Sequence, residues 1–309
     1  MDKKTERLVN VARMYYEQDR TQSEIADRYG ISRPMVSKLL KEARDRGIVT
    51  IRINAPKGES GGTPSLMELV GRCFGIYDGV AVPGGPNDQT TNEAVAEAAI
   101  SYLSELGGAS LGIGWGHIIG DVVKHMEQKA KLVPIGTFVC PLIGNGGVGL
   151  KNYHSNELVR SIAEHSGAQP RFIYSPACVL SEQELKLTRE LDSYHEIYHV
   201  WEKLDVALVN IGNFPSVPDF ASEARYGDQL IRQKAVGRIL NYFMDSQGHI
   251  IRSDTDYAIQ IPLELLTRTR HVVGICSANT SPKAFRAALK TGYLKHFIAP
   301  EHVVREALE

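Results

Sequence analysis

SEIADRYGISRPMVSKLL, residues 23–40, contains two segments whose apolar residues recur at helical spacing, with a glycine-containing turn between them. In the second segment Ser32 is a favourable helix N-cap. Arg33 and Pro34 then fall in the first turn, where proline's missing N–H costs little. The inner face of this segment is formed by Val36, Leu39, Leu40 and Ala43. The pattern predicts two helices joined by a tight turn, the second with basic and hydroxyl residues on its outer face.

An earlier helical pattern, with apolar residues at 8, 11, 12 and 15, completes a three-helix unit. In helix-turn-helix proteins the N-terminal turn of the last helix enters the major groove, where Arg and Lys pair with guanine edges. The start of the second helix is placed to meet phosphates. We therefore predict that double-stranded operator DNA is contacted by Gln22, Ser23, Ser32, Arg33, Pro34, Ser37 and Lys38. A helical hairpin that serves only packing is the alternative.

The distribution of charge favours the same division of the chain. Residues 1–54 hold 12 Lys/Arg and 8 Asp/Glu, a net charge of +4, whereas the remaining residues carry −5. A basic segment on an acidic body suggests that only the segment meets a polyanion. Gly47 is a plausible end for the third helix, and the alternation in 49–53 predicts a strand. The Pro-, Gly- and Ser-rich run that follows suggests a helix-turn-helix domain over 1–54, a linker over 55–65 and an effector-binding and oligomerisation domain over 66–309.

After the linker, short apolar runs alternate with helical patterns. Predicted strands begin at residues 79, 110, 135, 171, 206, 271 and 296, and predicted crossover helices span 90–106, 153–166 and 281–290. Several runs are apolar almost throughout, as expected of strands buried on both faces of a parallel sheet. The predicted fold class is α/β: a small N-terminal helix-turn-helix domain and a larger layered α/β effector domain.

Composition excludes several classes of protein. Apolar residues make up 43% of the 309, and no apolar run approaches the ~20 residues of a membrane span. The charged N-terminus is not a secretory signal. Cys73, Cys140, Cys178 and Cys276 show neither a CxxC nor a Cys/His pattern, so we expect reduced thiols and neither a metal nor a cofactor. The expected location is the cytoplasm.

The residues of the helix-turn-helix segment resemble the SorC family of bacterial sugar-responsive transcription regulators. The resemblance continues in family order through GIGWGHIIGDVV at 112, YHSNELVRSIAEHSGA at 153, DVALVNIG at 205, AVGRILNYFMDSQGHII at 235 and AALKTGYLKHFIAPE near the end. It implies an effector domain similar in fold to glucosamine-6-phosphate deaminases and ribose-5-phosphate isomerases. It also implies a homo-oligomer, usually a tetramer, and an effector that is a phosphorylated sugar.

Two glycine-containing loops are candidates for the effector site. GIGWGHIIGD, residues 112–121, begins as a strand and enters a helix, whose N-terminus favours negative charge. GNGGVG, residues 144–149, is the second loop. The predicted effector-binding residues in and beside these loops are Gly114, Trp115, Gly116, His117, Gly146, Gly147 and Asn156. Either loop could instead be no more than a tight connection.

Three positions differ from the pattern that the resemblance implies. After the Trp-Gly pair, where relatives usually have a threonine, this chain has His117 and Ile118. Arg238 occupies a position where relatives often have an aspartate. Ser281 occupies the position of a phosphate-binding lysine, and Lys283 lies two residues further on. Arg238, Ser281 and Lys283 are therefore added to the predicted effector-binding residues. An arginine there would suit a carboxylate, a sulfonate or a phosphate bound in another way. Loss of ligand sensing is a further alternative.

The preferred function is a DNA-binding regulator whose operator affinity responds to a small anionic metabolite, and no enzymatic activity is expected. A regulator with a purely structural body is one alternative. A sugar-phosphate isomerase or deaminase is another, because the implied fold allows it. Asp121, His117 and His154 are available for acid–base chemistry, but no spacing marks them as a catalytic set.

Overall fold

The computed structural model describes residues 3–18, 20–45, 49, 64–129, 136–147, 149–216 and 225–309. The chain divides into two compact units, residues 1–63 and 64–309. Three helices form the first unit: α1 (Lys3–Tyr16), α2 (Gln22–Tyr29) and α3 (Arg33–Asp45). The predicted helix end at Gly47, the strand over 49–53 and the 55–65 linker lie outside the described residues, apart from Val49, Pro64 and Ser65.

Helix ends in the first unit follow from local chemistry. Thr21 caps α2 in a reciprocal arrangement: its hydroxyl accepts from the Glu24 N–H, and the Glu24 carboxylate accepts from the Thr21 N–H at 2.8 Å. Gly30 ends the helix in the left-handed region, with φ of 62°. The three helices then bury one apolar cluster, which includes Leu8, Val11, Ile25, Val36, Leu39 and Leu40. The predicted pair of helices and its inner face are confirmed.

The second unit alternates helices and strands, as predicted. Its helices are α4 (Leu66–Phe74), α5 (Asp88–Glu105), α6 (His117–Glu127), α7 (Ser155–Ser166), α8 (Glu182–Glu190), α9 (Asp192–Trp201), α10 (Gln229–Arg232), α11 (Leu263–Arg268), α12 (Pro282–Lys290) and α13 (Glu301–Leu308). Its strands are β1 (Gly79–Val82), β2 (Leu111–Ile113), β3 (Phe138–Pro141), β4 (Gln169–Pro170), β5 (Val206–Asn213), β6 (Gly237–Ile239), β7 (Tyr242–Met244), β8 (His271–Ile275) and β9 (His296–Pro300). None of the described helices is long and apolar enough to cross a membrane.

Seven strands form a parallel sheet in the order β1-β9-β8-β5-β2-β3-β4. Alternate residues of β5 enter different apolar clusters: Ala207 and Val209 join the cluster that contains Trp201 and Phe285, whereas Val206 and Leu208 join the cluster that contains α5, α6 and α7. The sheet is therefore covered by helices on both faces, which confirms the layered α/β prediction.

Two local features differ from the sequence predictions. The strand expected from residue 171 is displaced to the two residues of β4, because the Asn156 side chain takes over the backbone of the next segment. Its Oδ1 accepts from the Ile173 N–H at 3.0 Å and its Nδ2 donates to the Ile173 carbonyl at 2.9 Å. Strand β6 pairs antiparallel with the end of β5, and β7 pairs antiparallel with β6; neither strand was predicted. They are too short for alternation to show in sequence.

Candidate functional site

The outer face of α3 presents the residues predicted to contact DNA. Arg33, Pro34, Ser37 and Lys38 are all exposed, and the preceding Ser32 is exposed as well. The Ser32 carbonyl accepts the first helical bond, from the Val36 N–H at 3.2 Å. Because Val36, Leu39 and Leu40 hold the opposite face in the core, this orientation of the basic residues is fixed by packing.

A concavity of about 560 Å³ joins the start of α2 to the start of α3. It is lined by Tyr15, Tyr16, Arg20, Thr21, Gln22, Ser23 and Arg33. The fold thus brings together three of the predicted residues, Gln22, Ser23 and Arg33, although they come from different helices. Arg20, which pairs with Glu24 at 3.4 Å, and Arg33 lie at a surface that also offers hydroxyl and amide groups, and such a surface suits the sugar-phosphate backbone of DNA.

The second unit contains a polar cavity of about 450 Å³ where β2, β5 and β8 end and β6 pairs with β5. Its lining is Asn92, Gly116, His117, Ile118, Asp121, Tyr153, Asn210, Ile211, Gly212, Asn213, Pro215, Ser216, Arg238, Ser277, Asn279 and Thr280. In open parallel sheets, ligands bind outside the carboxyl ends of the strands, and this cavity has that position.

One wall is the beginning of α6. Gly116 is its N-cap and supplies no side chain, so no side-chain hydrogen bond caps the helix. The Gly116 N–H is held by the Asn152 carbonyl at 2.8 Å. Beneath it, buried Trp115 packs edge-on against Tyr153, with ring centroids 5.8 Å apart, and His117 packs against the same tyrosine at 5.6 Å. The helix N-terminus therefore faces the cavity with its positive end.

The opposite wall carries Arg238, which is only 6% exposed. It sits on β6 directly opposite Gly212 of β5, and its Nη1 donates to Asn241 Oδ1 at 3.4 Å. Burial raises the pKa of Tyr153, and the nearby Arg238 charge partly offsets that rise. Arg238 thus gives the cavity a buried positive charge close to the tyrosine ring.

The floor of the cavity contains Asn210, which interrupts the apolar strand β5. Its side chain is 7% exposed, and its Oδ1 has no hydrogen-bond partner among the described residues. It lies over the backbone of Gly114 and Gly116, because a Cβ on either glycine would come within 3.4 Å of its amide atoms. A buried acceptor without a donor is costly, unless a ligand or water completes it.

Asp121 lies at the rim, one turn into α6. Burial raises the pKa of its carboxyl group, and the charges of His117 and Lys124 act in the opposite direction. His117 and Asp121 are thus brought together at the cavity, whereas His154 is not among the residues that line it. Arg238 and Asp121 are the cavity's only Arg, Lys, Asp or Glu side chains among the described residues.

The remaining predicted effector-binding residues are placed behind the cavity wall or away from it. Gly146 packs close to Trp115 and Tyr153, and Gly147 is exposed. Asn156 is occupied by the Ile173 backbone. Ser281 is the N-cap of α12, where its Oγ accepts from the Ala284 N–H at 3.5 Å, and Lys283 is exposed. None of them lines the cavity as the structure describes it.

The asparagines of the cavity, at positions 92, 210, 213 and 279, are not among the residues predicted from the sequence. One signal was present for two of them. VALVNIGN, residues 206–213, is an apolar strand that contains a polar amide at 210 and another at its end. A polar residue within a strand buried on both faces requires a partner, so it marks a site. Asn92 carries no such signal, since it lies among the polar residues that begin α5.

Comparison with known protein families divides the chain close to the boundary between its two compact units. Residues 62–309 match the family model described as "Putative sugar-binding domain", and residues 5–46 match the model described as "Sigma-70, region 4". The first match covers most of the chain. The second covers α1, α2 and α3, which are the helix-turn-helix.

The relatives of this chain are regulators. The sorbitol operon regulator of Klebsiella pneumoniae is 30% identical over 300 residues, which cover 93% of this chain and 92% of the relative. The deoxyribonucleoside regulator of Bacillus subtilis (strain 168) is 26% identical over 317 residues, which cover 99% and 98%.

Solved structures agree with these matches. The crystal structure of the full-length sorbitol operon regulator from Klebsiella pneumoniae has a TM-score of 0.70, with 26% identity and complete coverage of both chains. A DeoR family transcriptional regulator from Listeria monocytogenes has a TM-score of 0.67 with 20% identity, and covers 78% of this chain and 97% of its own. The second likeness shows the fold alone.

Proposed function

This chain belongs to the SorC family of transcriptional regulators, and on that basis we propose a separate function for each of its two units. The first unit binds operator DNA through the outer face of α3 and the start of α2. The second unit binds a small sugar-like molecule in the cavity between α6 and β6. Occupancy of the cavity changes the affinity of the chain for its operator. The chain acts in the cytoplasm and is not an enzyme.

The observation that carries the DNA-binding role is the exposed turn at the start of α3. Arg33, Ser37 and Lys38 are exposed there, while Val36 and Leu40 anchor the helix from behind. Since the N-terminal residues of a recognition helix contact base edges, Arg33 is assigned to base recognition. Gln22 and Ser23 border the same concavity and are assigned to phosphate contacts.

The sensing role is supported by the orphan acceptor in the cavity. Asn210 Oδ1 is buried and has no donor among the described residues, so a bound hydroxyl would satisfy it. The position of this acceptor beside a cavity of about 450 Å³ favours a bound ligand over a body that serves only assembly. This is the argument against a purely structural second unit.

Self-association of the second unit is part of the proposal, because one helix-turn-helix reads only a short half-site. A surface around α8 supports it: this helix buries none of its residues, and Leu187 on it and Leu180 and Leu191 beside it are exposed, Leu180 by 84%. A second copy of the chain is the proposed occupant. Sedimentation of the full chain and of Leu187→Glu tests this, and a wild-type monomer at micromolar concentration would count against it.

The regulator role is tested by selecting binding sites from random DNA duplexes with the full chain. Enrichment of one sequence with two-fold symmetry is expected. The affinity for that duplex is then measured, by fluorescence anisotropy at fixed salt, with and without a panel of sugars, polyols, sugar acids and sugar phosphates. A change with at least one compound is expected. No enriched sequence would refute DNA recognition, and an enriched sequence with no response to any compound would refute sensing alone.

A further inference from the structure

We propose that Asn210 binds two neighbouring hydroxyl groups of the molecule in the cavity, and that the chain keeps this asparagine although it lowers the stability of the ligand-free protein. The inference rests on the proposed function, because it names the chemical class that the second unit binds: a sugar or polyol with hydroxyls on adjacent carbons. Three features carry it: the position of Asn210 in β5, its unpaired amide, and the contrast with other asparagines of the cavity.

Asn210 interrupts a stretch of β5 that is otherwise apolar and buried. Leu208, two residues earlier, lies on the same face, since alternate residues of a strand share a face, and it belongs to the apolar cluster that contains α6. Asn210 is only 7% exposed, and it lines the cavity. An amide at such a position loses its hydration on folding, so it requires a partner inside the protein or in a ligand.

The amide of Asn210 stands against the turn that begins α6. A Cβ on Gly114 would lie 3.2 Å from Oδ1, and a Cβ on Gly116 would lie 3.4 Å from Nδ2. The two glycines therefore leave room for this side chain. Because Gly116 also lines the cavity, the amide borders both the turn and the space that a ligand would enter.

Neither end of this amide is paired within the described part of the chain. The Asn210 Oδ1 atom is buried and has no hydrogen-bond partner there, and Nδ2 donates to none of the described residues. An amide offers an accepting oxygen beside a donating NH₂ group. Two hydroxyls on adjacent carbons match it, because one can donate to Oδ1 while the other accepts from Nδ2. A ligand without one of these hydroxyls leaves one end of the amide unpaired.

Two further asparagines of the cavity lining have a different role. The Asn92 Oδ1 atom accepts from the Ala278 N–H at 2.7 Å. Asn213 uses both ends of its amide: Oδ1 accepts from the Ser281 N–H at 2.7 Å, and Nδ2 donates to the Asn279 carbonyl at 3.0 Å. These side chains hold the cavity wall in place, so they serve the fold whether or not a ligand is present.

The same substitution should therefore have opposite effects at two sites of β5. Replacing a buried polar group that has no partner by an apolar group of similar shape is neutral or stabilising, whereas breaking a buried hydrogen bond is destabilising. Without ligand, at least one of Asn210→Leu and Asn210→Val is expected to melt about 2–4 °C above the wild type. Asn213→Leu is the matched control and is expected to melt below it. If neither Asn210 variant melts above the wild type, the amide serves the fold and the proposal is overturned.

Binding is tested with defined compounds. D-glucose, D-ribose and D-glucitol, each free and as its terminal phosphate, are titrated calorimetrically into the full chain together with their monodeoxy analogues. At least one parent compound is expected to bind. Removal of either of two adjacent hydroxyls is expected to weaken it by at least about thirtyfold, because a buried group is then left unpaired. No binding of any parent compound overturns the proposal. Equal affinity of a bound parent and all its monodeoxy analogues overturns it as well, since water alone would then complete the amide.

The variant connects the lost hydroxyls to Asn210. In Asn210→Leu the parent compound is expected to bind at least about tenfold more weakly, and the analogue that the wild type rejects is expected to lie within about threefold of the parent. Because parent and analogue are compared within one variant, a general loss of affinity does not imitate this result. Discrimination as large as that of the wild type would show that another residue contacts those hydroxyls, and it would refute the proposal.

The two levels of the proposal fail in different ways. If a compound changes the affinity for the selected operator but its monodeoxy analogues bind equally well, the sensing role stands and the role of Asn210 is wrong. If the wild type rejects the analogues but no bound compound changes operator affinity, the recognition of adjacent hydroxyls stands and the sensing role is wrong.

Discussion

Arg238 lies across the face of Gly212. These two residues are paired in the antiparallel register of β5 and β6, and Arg238 Nε is 3.0 Å from the position that a Cβ on Gly212 would take. Any larger residue at 212 would meet the guanidinium stem. The glycine thus provides the space in which a buried arginine can reach the cavity.

Gly212→Ala should therefore weaken binding of the effector that the compound panel identifies, about three- to tenfold, which corresponds to roughly 0.7–1.4 kcal/mol. The added methyl moves Arg238 by a few tenths of an ångström, which is enough to misalign a bidentate pair. Calorimetric titration of the variant measures the loss. Gly84→Ala is the matched control, since no heavy atom lies within 4 Å of a Cβ there. Equal affinities in the two variants would show that Arg238 does not touch the ligand.

Asp121→Asn should strengthen binding of an anionic effector, by about three- to thirtyfold, because it removes the only carboxylate among the described residues of the cavity lining. Arg238→Lys should have the opposite effect, because an ammonium cannot reproduce the planar fork of the guanidinium. Glu93→Gln is the control: its charge helps to raise the pKa of Asp121, but it does not line the cavity, so a smaller effect is expected. A weaker affinity for the effector in Asp121→Asn would mean that the carboxylate binds the effector instead of opposing it.

Arg33→Ala should cost about 1–3 kcal/mol in affinity for the selected operator if Arg33 pairs with a base, and it should relax specificity at one position. Arg13→Ala removes the same charge from an exposed site on α1, where the arginine lies 3.9 Å from Glu17, and should change affinity far less. Anisotropy titrations at two salt concentrations separate the base contact from a general loss of charge. Unchanged affinity in folded Arg33→Ala would remove it from base recognition.

Stability should fall as the solution is acidified, in part through His271. Burial lowers its pKa, and the charges of His296 and Arg270 lower it further, while Asp78 and Asp205 act against them. The folded pKa of His271 lies below the unfolded value of about 6.5, so the neutral imidazole contributes its full stabilisation above that unfolded value. The stabilisation declines below the unfolded pKa and is lost as the pH falls through the folded pKa. Between pH 7.5 and 5.5 the melting temperature of the wild type should drop more than that of His271→Gln. Parallel curves would contradict this.

Asp256→Ala should destabilise the second unit by about 3–5 kcal/mol, because it leaves the buried Arg225 charge without its carboxylate partner. Arg225, 2% exposed, donates to Asp256 Oδ1 from Nε at 2.8 Å and from Nη2 at 2.5 Å, and the Tyr226 hydroxyl donates to Oδ2. Chemical denaturation measures the loss. Asp254→Ala alters an exposed carboxylate in the same loop and should stay within about 0.5 kcal/mol of the wild type.

The sequence by itself determined the helix-turn-helix and the class of the body. Both depend on local periodicity: apolar residues at helical spacing from Leu8 to Ala43, and apolar runs such as 206–211 separated by helical patterns. Placement of Arg33 and Pro34 in a first turn is also local, since a helix begins where its cap and its first residues allow. The short strands β6 and β7 and the displaced β4 were beyond this reasoning, because hydrogen bonds to distant residues decide them.

Only the tertiary structure decided what lines the cavity. Asn92, Asn210 and Arg238 come from three elements far apart in the sequence: α5, the parallel strand β5 and the antiparallel strand β6. They meet because β6 pairs with the carboxyl end of β5 and the Asn92 side chain accepts from the Ala278 N–H in the loop after β8. The same packing assigned Asn156 to the Ile173 backbone and Ser281 to the cap of α12. A polar side chain serves whichever unsatisfied group lies within about 3 Å of it, and that distance is set by the packing of the sheet and its helices.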